Sequence, residues 1–93
     1  MNTHYLVCFD ITDDRIRNRV GKVLLRHGQR VQESVFEIAL KNPRGMEKLR
    51  EKLAGLLEEE NELRFYRLCL DCRKASKRID GMPLAAFPAV VII

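Results

Sequence analysis

The residues best suited to chemistry stand in one short stretch, where three aspartates fall within five positions. Asp10 directly follows the apolar run at residues 5–9, and Asp13 and Asp14 come just behind it. Carboxylate oxygens are the ligands that Mg²⁺ and Mn²⁺ prefer in proteins. One aspartate is a weak cation site, whereas two copies of Asp10 facing each other across a two-fold axis would make a stronger one. A structural aspartate that caps a loop is the alternative interpretation of Asp10.

Basic side chains follow the aspartates closely. Residues 13–30 contain six Lys or Arg against two Asp. Four of them recur at helical spacing and therefore share one helix face, namely Arg15, Arg19, Lys22 and Arg26. Guanidinium groups bind phosphate oxygens through paired hydrogen bonds. Because only 6% of residues are aromatic, phosphate contact fits better than base stacking. An ordinary solvated helix face is the other interpretation.

The two cysteines of the sequence CLDC, Cys69 and Cys72, are the remaining candidates. One such pair supplies two zinc ligands where a structural zinc site needs four. A redox pair is expected at the start of a helix that follows a strand. With no other feature supporting zinc or redox chemistry, we expect these cysteines to pack as small apolar residues. No Ser/His or Cys/His nucleophile system can be built around His4 or His27 from the sequence.

The elements that must position these residues begin with a strand over 5–11, apolar on both faces and therefore central. Thr12 suits the N-cap of the next helix, with Asp13 and Asp14 in its first turn. We expect Asp13 to pair with Arg17, four residues later. This helix runs to about residue 27, and its predicted buried stripe is Ile16, Val20, Val23 and Leu24.

Later segments continue the alternation of strands and helices. Residues 30–40 are rich in strand formers, and Glu33-Ser34 marks a bulge or a tight turn within them. Asn42 and Pro43 start a second helix. The apolar face of that helix consists of Met46, Leu49, Leu53, Leu56 and Leu57. The rest of the chain is predicted to form a strand at 63–70, a polar connection at 71–83 and a strand at about 85–93.

This order predicts an α+β protein, a ferredoxin-like β-α-β-β-α-β sandwich with an extra C-terminal strand, in a single domain over residues 1–93. Residues 90–93 are all apolar, and an exposed hydrophobic edge is an association hazard unless it is paired. We therefore expect a homodimer in which strand 85–93 pairs at the interface. No apolar run approaches the roughly 18 residues of a membrane span, and no signal peptide is visible, which favours the cytoplasm.

Four segments, FDITDD, RIRNRVGKVL, HGQRVQESVFE and LRFYRLCLDC, resemble a known family in order and spacing. The family is the small CRISPR-associated endonuclease of the adaptation module, the partner of the CRISPR integrase. The resemblance covers nearly the whole chain and implies a ferredoxin-like homodimer. In it, Asp10 from both subunits would be catalytic and would share Mg²⁺ or Mn²⁺. The residues implied in nucleic-acid binding are Arg17, Arg19, Arg30, Ser34 and Phe36.

One departure from the family concerns Phe9, which stands where many relatives carry tyrosine, so this chain lacks a hydroxyl there. The resemblance implies a metal-dependent endonuclease that hydrolyses phosphodiester bonds of RNA or DNA. A non-catalytic nucleic-acid-binding adaptor that bridges integrase dimers during spacer acquisition is the alternative. A ferredoxin-like regulatory domain that binds a small ligand is a third hypothesis. The basic first helix serves the first two equally well.

Overall fold

The computed structural model of the protein describes residues 2–81. Its elements, in chain order, are β1 (Thr3–Asp10), α1 (Asp14–Leu25), β2 (Gly28–Gln32), β3 (Val35–Leu40), α2 (Pro43–Leu56), β4 (Glu62–Leu68) and α3 (Leu70–Ala75). The predicted β-α-β-β-α-β order is confirmed. The strand expected at 85–93 lies outside the described residues. Within 2–81, none of the helices has the length and apolar character needed to cross a bilayer.

The four strands form one antiparallel sheet in the order β2-β3-β1-β4. β1 is central, as predicted, with β3 on one side and β4 on the other; Val7 pairs with Phe36 and with Phe65. This strand order, with α1 and α2 packed together over one face, is the ferredoxin-like arrangement. We call the face under α1 and α2 the covered face and the opposite one the open face.

Apolar side chains fill the space between the covered face and the helices. The buried residues of this core are Val7, Phe9, Ile11, Ile16, Val20, Val23, Leu24, Phe36, Ile38, Leu40, Leu49 and Leu53. The predicted stripe of α1 is buried in full, and α2 contributes part of its predicted face. The period of two along the strands and of 3.6 along the helices therefore predicted this core correctly.

Helix α1 begins one residue later than predicted, because Asp13 and not Thr12 is the N-cap. The Asp13 carboxylate accepts hydrogen bonds from the backbone N–H of Arg15 at 2.8 Å and of Ile16 at 3.1 Å. Since that carboxylate is turned toward the helix amides, Arg17 pairs with Asp14 instead. The expected Asp13–Arg17 pair was wrong for this reason.

The region 28–42 agrees with the prediction more closely. A turn at residues 33–34 divides the β-rich segment, and the β2–β3 register shifts between Arg30 and Gln32. Asn42 caps α2 by accepting a hydrogen bond from the Gly45 N–H at 2.9 Å, with Pro43 at the first helical position. These local signals needed no tertiary context to be read correctly.

The polar connection predicted at 71–83 was wrong over 71–75, which with Leu70 forms the short helix α3. This helix is attached to the open face by an ion pair between Arg73 Nε and Glu37 Oε1, 2.5 Å apart. The Glu37 side chain has no exposed surface, although it stands on the face opposite the main core. The two partners of this ion pair are 36 residues apart in sequence, so no local pattern predicted α3.

Candidate functional site

The carboxylate of Asp10 lies at the end of β1 on the open face. Side chains alternate along a strand, so burial of Val7 and Phe9 in the core places Cys8 and Asp10 on the other side of the sheet. Phe9 is 7% exposed whereas Asp10 is exposed. Within residues 2–81 no ion pair involves the Asp10 carboxylate, which is therefore available to a ligand.

Three residues of β4 lie beside Asp10, and the sequence analysis missed all of them. Glu62 pairs with Asp10 across the β1–β4 ladder, and Arg64 and Tyr66 follow on the same face. Together they line a shallow depression with Asp10 and Cys8. The alternation of residues 62–68 was visible in the sequence, but the pairing of β4 with β1 was not.

The electrostatics of this depression are mixed. Arg64 Nη1 lies 3.4 Å from the Tyr66 hydroxyl oxygen, and this contact, with the Glu62 charge, raises the pKa of Arg64. The depression thus combines two carboxylates with a fixed positive charge. Within the described part of the chain, no group of three or more His, Cys, Asp or Glu side chains is placed to hold a metal ion. One copy of the chain contributes at most the carboxylates of Asp10 and Glu62 to such a site.

Arg17 holds the loop that follows Asp10. Its Nη1 donates a hydrogen bond to the Ile11 carbonyl at 3.1 Å, and its Nη2 pairs with Asp14. The guanidinium is thereby engaged with its own chain on two sides. Its position fixes the backbone immediately after Asp10.

Arg30 and Phe36 form a stacked unit on the covered face. The Arg30 guanidinium lies over the Phe36 ring, 5.2 Å from its centroid, a cation–π contact. Phe36 itself has no exposed surface and stacks on Phe9, with ring centroids 5.9 Å apart and planes at 24°. Gly21 leaves room for this arrangement, since a Cβ there would lie 3.2 Å from Arg30 Nη2. Arg30 is exposed and held in place, whereas Phe36 is internal.

Ser34 lies half-buried in the turn between β2 and β3. Its carbonyl accepts a hydrogen bond from the Phe9 N–H at 3.1 Å, which ties the turn to the residue before Asp10. Phe9 therefore connects the Ser34 turn, the Phe36–Arg30 unit and Asp10. Arg19 stands apart from this network, exposed on α1. There it adds to the lowering of the Asp13 pKa, which the N–H groups of Ile16 and Arg15 cause in the main.

The expectation that Cys69 and Cys72 pack as apolar residues was wrong, because both side chains are exposed. Leu68 is the last residue of β4, so the chain leaves the sheet before the first cysteine. A strand predicted to reach residue 70 had suggested more burial than the sheet provides.

Fold and site together define a small ferredoxin-like α+β protein whose open sheet face presents a depression with two carboxylates and an arginine. Residues 2–75 match the model of the CRISPR associated protein Cas2 family, and the chain belongs to that family.

The matches to similar proteins cover nearly the whole chain. The chain is 42% identical over 92 residues to a protein of Chloroflexus aurantiacus named CRISPR-associated endoribonuclease Cas2 1, covering 96% of this chain and 98% of that one. Among solved structures, a chain of a partial Cas6-RT-Cas1–Cas2 complex matches with a TM-score of 0.82 and 39% identity, covering 98% of this chain and 99% of that one. Streptococcus pyogenes Cas2 matches with a TM-score of 0.73 and 26% identity, covering 82% of this chain and 98% of that one.

Proposed function

We propose that this chain is a metal-dependent endonuclease of CRISPR adaptation that acts in the cytoplasm as a homodimer on phosphodiester bonds of RNA or DNA. The observation that carries the proposal is the exposed Asp10 carboxylate at the end of the central strand. A charge there contributes nothing to the core, and no ion pair within residues 2–81 uses it. The Chloroflexus aurantiacus relative named as an endoribonuclease supports the same activity.

The metal in this proposal is Mg²⁺ or Mn²⁺, and its ligands are Asp10 of this chain and Asp10 of a second copy. Exposed carboxylate oxygens suit these hard cations. One chain offers too few donors by itself, which is the reason a second copy is required. Such an ion supplies a Lewis acid and a bound water of lowered pKa. Glu62, opposite Asp10 in the ladder, is placed to accept a hydrogen bond from a water there.

The arginines divide into two roles in the proposed nuclease. Arg19 and Arg30 are exposed and hold phosphates of the substrate, the second from a position fixed by Phe36. Arg17 acts indirectly, by holding the backbone after Asp10. Ser34 and Phe36 likewise act through Phe9 and Arg30, because Phe36 has no surface that a nucleic acid can reach.

A second candidate function is the non-catalytic adaptor that holds nucleic acid beside the CRISPR integrase. The match to a chain of a Cas6-RT-Cas1–Cas2 complex, with a TM-score of 0.82, favours it. The small number of carboxylates near Asp10 also favours it, since binding and bridging need no hydrolysis. In either function, residues 85–93 pair at the dimer interface in our proposal.

The test replaces Asp10 by Asn and measures cleavage of labelled single-stranded RNA and duplex DNA with Mg²⁺, with Mn²⁺ and with chelator. We expect the cleavage rate to fall by at least about 100-fold, because the substitution removes the carboxylate charge that would bind the metal. Binding to the same nucleic acids should be unchanged. Glu51→Gln is the matched control, because it removes an exposed carboxylate of α2 that lies outside the proposed site.

Three results separate the hypotheses. Cleavage that survives in Asp10→Asn overturns the nuclease assignment. Spacer acquisition with the integrase that persists in Asp10→Asn, while cleavage is lost, makes the adaptor role the physiological one. Failure of the unsubstituted protein to bind any nucleic acid at low salt overturns both, because phosphate contacts are strongest there.

A further inference from the structure

The exposed pair Cys69 and Cys72 lies where β4 ends and α3 begins, away from the residues of the proposed nuclease. Cys8, by contrast, is half-buried within β1. Two exposed thiols in one turn have no packing role to explain them. Their mutual geometry is therefore the observation that matters.

A hydrogen bond holds the Cys69 sulfur beside the backbone of Cys72. The Cys72 N–H donates to Cys69 Sγ at 3.2 Å. The backbone around them is fixed as well, since the Arg73 N–H donates to the Cys69 carbonyl at 2.9 Å and the Ser76 hydroxyl donates to the Cys72 carbonyl at 2.6 Å. The turn thus keeps both thiols on one side and exposed to solvent.

The two thiols are not equivalent. The hydrogen bonds from the Cys72 thiol and N–H lower the pKa of Cys69, while donation to Cys69 raises the pKa of Cys72. Because the thiolate is the nucleophile in disulfide exchange and Cys69 Sγ accepts the Cys72 N–H, Cys69 is the sulfur suited to attack and Cys72 the one suited to resolve.

We propose that Cys69 and Cys72 are a reversible dithiol–disulfide site whose substrate is a low-molecular-weight disulfide of the glutathione class. The Cys69 thiolate attacks one sulfur of the small disulfide, the S–S bond breaks, and one small thiolate leaves. Cys72 then loses its proton and attacks Cys69 Sγ, and the second small thiolate leaves as the protein disulfide forms. The protein dithiol is oxidised by two electrons and the small disulfide is reduced to two thiols.

The disulfide would link Cys69, the N-cap of α3, to Cys72 in its first turn. Arg73, which pairs with the buried Glu37, follows immediately. The reaction needs only a small movement, because the Cys72 N–H already holds Cys69 Sγ at 3.2 Å and the Arg73–Glu37 pair holds the helix in place. One chain supplies both sulfurs, so a second copy is not needed.

The test incubates the reduced full-length dimer in buffers with a series of ratios of oxidised to reduced glutathione. Free thiols are then trapped with N-ethylmaleimide, and the peptide that contains both cysteines is weighed by mass spectrometry. We expect the pair to be protected from alkylation and lighter by two hydrogen atoms, while Cys8 remains alkylated. Cys8→Ser is the matched control and should behave like the unsubstituted protein.

Single substitutions identify the attacking sulfur. Cys72→Ser should accumulate a stable glutathione adduct on Cys69, and Cys69→Ser should form its adduct on Cys72 several-fold more slowly. Serine is a good N-cap, so Cys69→Ser keeps the start of α3. A disulfide that links two chains, a lasting glutathione adduct on the unsubstituted protein, or equal rates for the two variants would each overturn the proposal. None of these measurements depends on nuclease activity.

Discussion

The two faces of the sheet differ in what covers them and in what they carry. The covered face packs apolar side chains of three strands against α1 and α2. The open face carries carboxylates: Asp10 and Glu62 at one end, and Glu37 with its partner Arg73 farther along. The same strands supply both faces, because successive side chains point to opposite sides.

This difference separates stability from function along each strand. On β1, Phe9 belongs to the core and its neighbour Asp10 to the candidate site, one residue away. A register shift of one residue would move every side chain of β1 to the opposite face. Burial of the core residues therefore fixes the face on which the Asp10 carboxylate lies. Glu37 is an exception to this separation. It lies on the open face but is fully buried, so we expect it to affect stability as strongly as a core residue.

The largest expected effect is on the covered face. Phe36→Ala should lower the free energy of unfolding by about 3–5 kcal/mol, because it leaves a cavity beside Phe9. Urea unfolding at a fixed protein concentration measures this effect. Leu25→Ala on α1 is the control and should change stability by less than about 0.5 kcal/mol, since Leu25 is 53% exposed. Similar losses for the two variants would break the comparison of the faces.

The next effect tests the exception on the open face. Arg73→Ala should cost about 3 kcal/mol of unfolding free energy, because it leaves the Glu37 carboxylate buried without its cationic partner. Arg78→Ala is the matched control; its pair with Asp80 is 3.1 Å long, but both side chains are exposed. That variant should change stability by less than about 1 kcal/mol in the same urea measurement. Equal effects of the two substitutions would show that burial of Glu37 has no energetic consequence.

A smaller effect concerns the junction between the two faces, where Asp13 starts α1. Asp13→Ala should lower the unfolding free energy by more than Asp14→Ala does, since two backbone N–H groups lose their acceptor. Asp14→Ala removes an exposed ion pair instead and should have an effect below about 0.5 kcal/mol. Thermal unfolding followed by circular dichroism compares the two. A larger loss for Asp14→Ala would show that the cap was assigned to the wrong residue.

The smallest effect is a pH dependence from His27, at the end of α1. Burial, with the charges of Arg26 and Lys52, lowers its pKa from the usual 6.5. As pH falls below 6.5, the unfolded chain binds a proton that the folded chain does not yet bind, so stability decreases down to the folded pKa. His27→Gln should lose less stability than the unsubstituted protein between pH 7 and pH 5. Parallel pH profiles of the two proteins would contradict this.

Local signals were enough for much of the fold. Asn42-Pro43 predicted the start of α2, and the apolar periodicities predicted the covered core. The carboxylate that closes β1 was identified as a candidate because a charge after an apolar strand stands out in the sequence. The start of α1 was missed by one residue because Thr12, Asp13 and Asp14 are all good N-cap residues, and in the structure Asp13 is the one that caps the helix.

The sequence by itself determined the order of elements as far as β4, the side of each strand that is buried, and the aspartate and arginines that stand near one another along the chain. The tertiary structure alone decided which residues of β4 and α3 lie on the open face. Glu62 opposite Asp10, Arg73 against Glu37, and the exposure of Cys69 and Cys72 depend on it. The physical reason is that periodicity is a local property, whereas strand pairing and burial depend on contacts between residues far apart in sequence.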